Sequence, residues 1–166
     1  MDAAPDIAIR RCGPADADLL SLIGGATFLE AFGDTIAASD IMAHTRGPHG
    51  AAYYAKLLAD PDTVCWLAEY GATGSPVGYA VMTTPDLPVD VRTGDTELKR
   101  IYLLAPHHGG GIARRLTEAA IDAARAMGKT RMWLGVYAGN DRAIGFYRKM
   151  GFEMAGEGWF QGRSEE

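Results

Sequence analysis

Cysteine is scarce in this chain, which has only Cys12 and Cys65. Two thiols cannot build a disulfide scaffold or a four-cysteine zinc site, so both are expected to be reduced and cytosolic. Long apolar runs are missing as well. No stretch of about 18 uninterrupted apolar residues exists, and no transmembrane helix or membrane partner is expected. Residues Met1 to Arg10 lack a basic start followed by an apolar run, so no secretory signal is expected. A basic excess is also absent. Lys and Arg total 16 against 21 Asp and Glu, a net charge of −5. Nucleic-acid-binding domains usually carry the opposite balance, so that partner class is disfavoured. Internal repeats and low-complexity tracts are lacking too.

What is present is ordinary globular composition. Apolar residues make up 48% and charged residues 22% of 166 positions. That length fits one domain, taken as residues 1–166, with a sizeable core. Charge is unevenly placed. Residues 97–131 hold Lys99, Arg100, Arg114, Arg115, Arg125, Lys129 and Arg131 against only Glu97, Glu118 and Asp122. This local excess of four suggests an anion site inside an acidic protein.

Periodicity orders the chain. Ile7 to Arg10 alternates like a short edge strand. Pro14 and Asp16 open an apolar-periodic helix to about residue 31, weakened by Gly24-Gly25. A short helix is expected near 36–45 and another over Ala51 to Ala59, stopped before Pro61. Period two then takes over. Thr63 to Tyr70 and Val77 to Thr84 read as paired strands across a Gly- and Pro-rich turn. Thr96 to Leu104 reads as a third long strand. Ile112, Leu116, Ala119, Ala120, Ala123 and Met127 form one stripe of a helix from about Gly110 to Met127. Gly128 stops it. Thr130 to Val136 reads as a strand, and Asn140 to Met150 as a helix capped by Asn140. Phe152 to Glu157 and Trp159 to Gly162 can close a hairpin. This order predicts an α/β fold, a mixed sheet with helices on its faces.

The chemistry-bearing segment is His108-Gly109-Gly110-Gly111-Ile112-Ala113, between a strand and a helix. Glycine lets the backbone turn tightly with no Cβ in a ligand's way. The helix that follows presents first-turn N–H groups without internal partners, which suits phosphate oxygens. No Gly-Lys-Ser/Thr follows, so this is not a Walker loop. A dinucleotide fingerprint starting at Gly109 would need a small residue at position 114, which is Arg114.

These residues, together with strand Glu97 to Leu103, strand Met132 to Val136 and Asn140-Asp141-Arg142-Ala143-Ile144-Gly145-Phe146-Tyr147-Arg148-Lys149-Met150-Gly151-Phe152, resemble the GNAT superfamily of N-acetyltransferases. The match covers residues 97–157. Thr27-Phe28-Leu29-Glu30-Ala31-Phe32 and Trp66-Leu67-Ala68-Glu69 are similar to its polyamine-acetylating branch. The family loop is Gln/Arg-x-x-Gly-x-Gly/Ala; Gly111 and Ala113 fit it, and His108 departs from it. The resemblance implies a single-domain, mostly antiparallel sheet flanked by helices, whose strands near 97–104 and 130–136 splay apart. It implies acetyl-CoA as cosubstrate, held by Ile101, Tyr102 and Leu103 along the strand and by His108, Gly109, Gly110, Gly111, Ile112 and Ala113 at the loop. Asn140 would contact the CoA arm, and Tyr147 would sit beside its sulfur as a proton donor.

Several of these residues have plainer readings. By pattern alone, Tyr147 lies on the stripe Ala143, Phe146, Tyr147, Met150 and is core. Asn140 is by itself a helix N-cap. Glu97 precedes the loop start by 11 positions, where some family members carry a catalytic glutamate. It is read either as a partly buried base or as a solvated strand-end carboxylate paired with Lys99. Adjacent His107 and His108 point different ways with no third ligand spaced nearby, so no metal is expected. Cys12 and Cys65 sit in apolar strand contexts and read as core.

The resulting expectation is acetyl transfer to a primary amine of a small cationic molecule, a polyamine being the leading guess. Glu30, Asp34 and Asp40 would face the acceptor, with Phe28, Phe32 and Tyr53 adding cation–π contacts. The rivals are a protein N-terminus or lysine as acceptor, and a non-catalytic CoA-binding sensor. A homodimer is left open.

Overall fold

The computed structural model describes residues 6–136, 139–156 and 159–163. Glu157, the end of one expected hairpin strand, lies outside the described residues, as do Met1 to Pro5 of the expected leaderless start. The chain opens with β1 (Ile7–Arg11), a 3-10 turn (Pro14–Asp16) and three helices, α1 (Ala17–Phe32), α2 (Ala38–Arg46) and α3 (Ala51–Ala59). A meander follows: β2 (Val64–Tyr70), β3 (Pro76–Thr83) and β4 (Asp95–Leu103). Then come α4 (Ile112–Ala126), β5 (Arg131–Gly135), α5 (Asp141–Lys149), β6 (Glu153–Gly156) and β7 (Trp159–Arg163). The seven strands form one sheet in the order β1-β2-β3-β4-β5-β7-β6. Only β4 and β5 run parallel, as a strand–helix–strand crossover requires. The fold is therefore a mixed, mostly antiparallel α/β sheet flanked by helices.

Each sheet face packs on its own helices. One core joins Trp66, Met82, Leu98 and Leu134 to Leu116 and Ala120 of α4 and to Ile144 and Tyr147 of α5. The other joins Cys65, Leu67, Tyr79 and Val81 to Leu20 and Ile23 of α1 and Tyr54 of α3. The α4 stripe is buried along Ile112, Leu116, Ala120 and Ala124, the i, i+4 spacing of one helix face. Cys12 and Cys65 are both free thiols. Burial pushes Cys65 up to about 12 and raises Cys12 too, so neither is a thiolate nucleophile near neutral pH.

Gly24-Gly25 does not interrupt α1. A Cβ on Gly24 would stand 2.6 Å from the Tyr54 hydroxyl and 2.8 Å from His49 Nδ1. Gly24 is thus a clearance that lets α1 lie against His49 and Tyr54, and packing offsets its poor helix propensity.

β4 and β5 share only three register pairs, Asp95 with Arg131, Thr96 with Met132 and Glu97 with Trp133. Asp95 fastens this junction. Its carboxylate accepts from Arg131 at 2.7 Å, from the Trp133 indole at 3.0 Å and from the Arg92 backbone N–H at 2.8 Å. Beyond Glu97 the strands diverge. A register shift opposite Val81 and Met82 leaves Lys99 as an extra residue in β4. Such a bulge bends its strand and increases the local twist.

Burial raises the Asp95 carboxyl, but Arg131, Arg92 and Trp133 together hold it below its ordinary value. A depressed carboxyl stabilises the fold above the unfolded value near pH 3.9, and that contribution is lost as pH falls through the folded value. Asp95→Asn is expected to cost about 2–4 kcal/mol at pH 7, because it leaves Arg131 short of its buried counter-charge. The penalty should shrink in urea melts below about pH 3. A constant difference from pH 7 to pH 2 would show that the charge of Asp95 does not matter.

Candidate active site

Where β4 has parted from β5, its free end, α1 and the starts of α4 and α5 wall a cleft of about 800 Å³. Its walls bring together nine of the twelve catalytic and cofactor-binding residues expected from the sequence. Ile101, Tyr102 and Leu103 come from β4; His108, Gly109, Gly111 and Ala113 from the loop and α4; and Asn140 and Tyr147 from the start and middle of α5. Gly110 and Ile112 do not line it; Ile112 is buried in the core beneath the loop.

The loop has the local geometry of an anion cradle. Gly109 and Gly111 adopt φ of +80° and +85°, a region in which a Cβ is strained. A Cβ on Gly111 would meet nothing within 4 Å, so the approach to this backbone is open. Gly111 is also the N-cap of α4, with no side chain capping the first-turn N–H groups. Those amides and the helix dipole face the cleft mouth. Arg114 and Arg142 line the same cleft. Arg142 was not singled out in the sequence, although its place two residues after the Asn140 cap puts it at the start of α5.

The expected basic segment is not delivered to this cleft as a block. Only Arg114 of its seven cations lines it. Arg131 is tied to Asp95, Arg115 donates to the Ile7 carbonyl at 2.9 Å, and Arg125 lies 3.8 Å from Asp122. Arg100 points to the opposite sheet face.

His108 turns back on its own loop, with Nε2 2.9 Å from the Leu103 carbonyl oxygen. The adjacent His107 pairs instead with the Tyr70 hydroxyl at 2.9 Å. Asn140 caps α5 by accepting from the Ala143 N–H at 3.1 Å, which leaves its amide NH₂ for another partner. Tyr147 is both core and cleft wall. Its ring packs edge-on against Phe146 and Phe152, and it is 9% exposed. Burial, with Tyr102 nearby, pushes its hydroxyl up to about 12, so it remains a protonated donor through the neutral range.

Glu97 is not the solvated partner of Lys99. It is buried, and Oε1 accepts from the Asp86 backbone N–H at 3.2 Å. Burial raises its carboxyl; the Asp86 N–H and Lys99 oppose the shift. It sits at the last register pair before the strands part and does not line the cleft.

A second, smaller cavity of about 220 Å³ lies on the α1 side of the sheet. It is lined by Phe28 and Phe32 of α1, by His44 and His49, and by Tyr79 and Arg100 of the sheet. Thr27, Ala31 and Tyr102 line both cavities, so the two meet there. Of the acids expected on this side, Glu30 lines the larger cleft and accepts from the Ala105 N–H at 2.6 Å, while Asp34 and Asp40 line neither.

Comparison with known proteins agrees with this layout. The acetyltransferase (GNAT) family matches residues 31–152. An uncharacterized N-acetyltransferase of Mycobacterium tuberculosis is 34% identical over 146 residues, 88% of each chain. An uncharacterized N-acetyltransferase of Escherichia coli is 30% identical over 99 residues, 59% of this chain and 56% of the relative. Among solved structures, the PaiA N-acetyltransferase of Thermoplasma acidophilum in complex with coenzyme A superposes with a TM-score of 0.75 at 17% identity, covering 95% of this chain and 99% of its own. With more than half of its length matched by the family and a relative 34% identical over 88% of each chain, the chain belongs to the acetyltransferase (GNAT) family, as an N-acetyltransferase.

Proposed function

We propose that the chain transfers acetyl from acetyl-CoA to the primary amine of a small molecule, with the donor in the β4–β5 cleft and the acceptor entering from the α1 side. The observation that carries this reading is the meeting of the two cavities at Thr27, Ala31 and Tyr102. A donor arm laid along β4 and an acceptor in the smaller cavity would face each other there, which supplies orientation. The coenzyme A bound by the Thermoplasma neighbour supports the donor.

Acetyl-CoA supplies an activated thioester. The protein's part is binding, charge stabilisation and proton handling. The uncapped first turn of α4, with Arg114 and Arg142, suits the pyrophosphate. The edge of β4 beyond Glu97, free of β5, offers backbone groups to the pantetheine arm and to charge developing on the thioester oxygen. The transfer forms a C–N bond and breaks the C–S bond. The amine loses a proton and the sulfur gains one. Glu97, raised by burial, can take a proton from the incoming ammonium through water. Tyr147 supports the departing thiolate by donating a hydrogen bond. Its hydroxyl, pushed up to about 12 by burial, stays protonated while the thiolate forms, and the proton gained by sulfur balances one lost by the acceptor nitrogen.

The smaller cavity's volume of about 220 Å³ favours a small acceptor over a protein N-terminus or lysine, either of which needs an open groove. None of the carboxylates expected to hold a polyamine lines that cavity. A CoA-binding sensor would share the cleft but release no thiol. A donor drawn from the metabolic pool and two free thiols support a cytoplasmic setting.

Gly111→Ala is expected to weaken CoA binding by 10-fold or more in calorimetry, at roughly 1 kcal/mol of stability, because a side chain at positive φ distorts the cradle. Unchanged affinity in the folded variant would remove the loop from the phosphate site. Tyr147→Phe should keep CoA affinity and lower kcat about 10-fold, whereas an unaltered kcat would return Tyr147 to packing alone. Glu97→Gln should abolish the acid limb of the kcat/KM profile, since the base works only above its raised folded value. An acid limb that persists in the variant would belong to another group.

A further inference from the structure

Arg100 is the one cation on the β4 face toward α1 and α3 that sits in the smaller cavity without an opposing acid. Tyr53 lies under its guanidinium at 5.0 Å, and Tyr54 at 5.8 Å. Its Nη1 donates to the Tyr54 hydroxyl at 2.9 Å and to the Pro48 carbonyl at 3.1 Å. The Tyr54 hydroxyl in turn lies 3.1 Å from His49 Nδ1. Burial, then the charges of Arg100 and His44, push His49 down to about 4, so its ring is neutral near pH 7 and accepts the Tyr54 proton. These contacts aim the guanidinium and leave it uncompensated. Among the described residues it forms no ion pair, and no Asp or Glu lines the cavity.

A half-buried cation without a counter-ion is costly unless something pairs with it. Nη1 holds the protein; the other face of the guanidinium fork remains for a ligand, and that fork matches a carboxylate in two parallel hydrogen bonds. Tyr79 also lines the cavity, but its hydroxyl is closed off from it and turned to the Tyr54 hydroxyl, so Arg100 is the group left to hold an anion. Phe28, Phe32 and Ala31 give the wall an apolar side, and Thr27, His44 and His49 line it as well. The volume of about 220 Å³ falls below the roughly 300–1,000 Å³ of drug-sized sites.

Resting on the acetyl-transfer reading above, we propose that the acceptor is a small amino acid or amino-acid-like amine whose carboxylate pairs with Arg100. Its apolar side chain packs on Phe28 and Phe32. Its amine reaches the junction at Tyr102, where the acetyl group arrives. A polyamine meets only repulsion at Arg100, because like charges disfavour each other most where solvent is partly excluded.

The test uses thiol release from acetyl-CoA by the intact protein. Leucine, methionine and phenylalanine are compared with the matching amines that lack the carboxylate, and with spermidine. The acids should exceed their decarboxylated partners at least 30-fold in kcat/KM. Arg100→Gln should collapse that preference with CoA affinity unchanged, and Arg100→Lys, which keeps the charge and the fold, should retain part of it. Equal or better turnover of the plain amines or spermidine overturns the inference and leaves acetyl transfer standing. If no amine releases thiol, calorimetry of the same acids against the CoA-loaded protein decides. Binding that Arg100→Gln weakens upholds the carboxylate site while the transfer reading fails; no binding of any acid overturns the inference.

Discussion

Three register pairs hold β4 to β5, and the working parts of the molecule depend on that ladder stopping where it does. Asp95 pins the closed end through Arg131 and Trp133, buried away from competing water. The bulge at Lys99 bends β4 away from β5 immediately after Glu97. A sheet edge is normally a liability, since its backbone groups lack partners. Here the edge is internal, walled by α4 and α5, so it becomes a place to hold an extended ligand by its backbone groups. Closed end and open end lie within nine residues of one strand.

The same bulge allocates side chains. In an unbroken strand Leu98, Arg100 and Tyr102 would share one face. With Lys99 as the extra residue, Leu98 pairs with Met82, while Arg100 and Tyr102 pair with Val81 and Tyr79. Leu98, Ile101 and Leu103 therefore face the α4 core, and Arg100 and Tyr102 face the α1 side. One irregularity thus frees the β4 edge and turns Arg100 to the smaller cavity. Cations are placed on both sides: Arg114 and Arg142 at the larger cleft, the proposed pyrophosphate site, and Arg100 at the smaller cavity, the proposed acceptor site.

Much of this was legible in the residues. The α4 stripe, the glycine loop and the Asn140 cap lie close together in sequence, and local signals suffice for them. The element order predicted the mixed sheet. What escaped depends on pairing across distance. Glu97 reads equally as a partly buried base or a solvated strand-end carboxylate, and only its burial and the Asp86 N–H separate the two. Gly24 reads as a weak point in a helix until Tyr54 and His49, 30 and 25 residues later, press against it. Arg100 belongs to the basic excess of residues 97–131 yet lines the smaller cavity and not the larger cleft, because charge counts ignore strand alternation. The adjacent polar pair Lys99-Arg100, between Leu98 and Ile101, was the available signal: it breaks the period of two and marks the bulge.

The central claim is that the gap between β4 and β5 is the donor site, and amide chemical shifts read it directly. Titrating CoA into labelled protein should move and protect the backbone amides of residues 98–103 and 111–115. Those of β1 and β2, on the far side of the same sheet, should stay in place. Shifts confined to β1, β2 or the outer surface of α2, with the β4 edge and the first turn of α4 unmoved, would contradict the account.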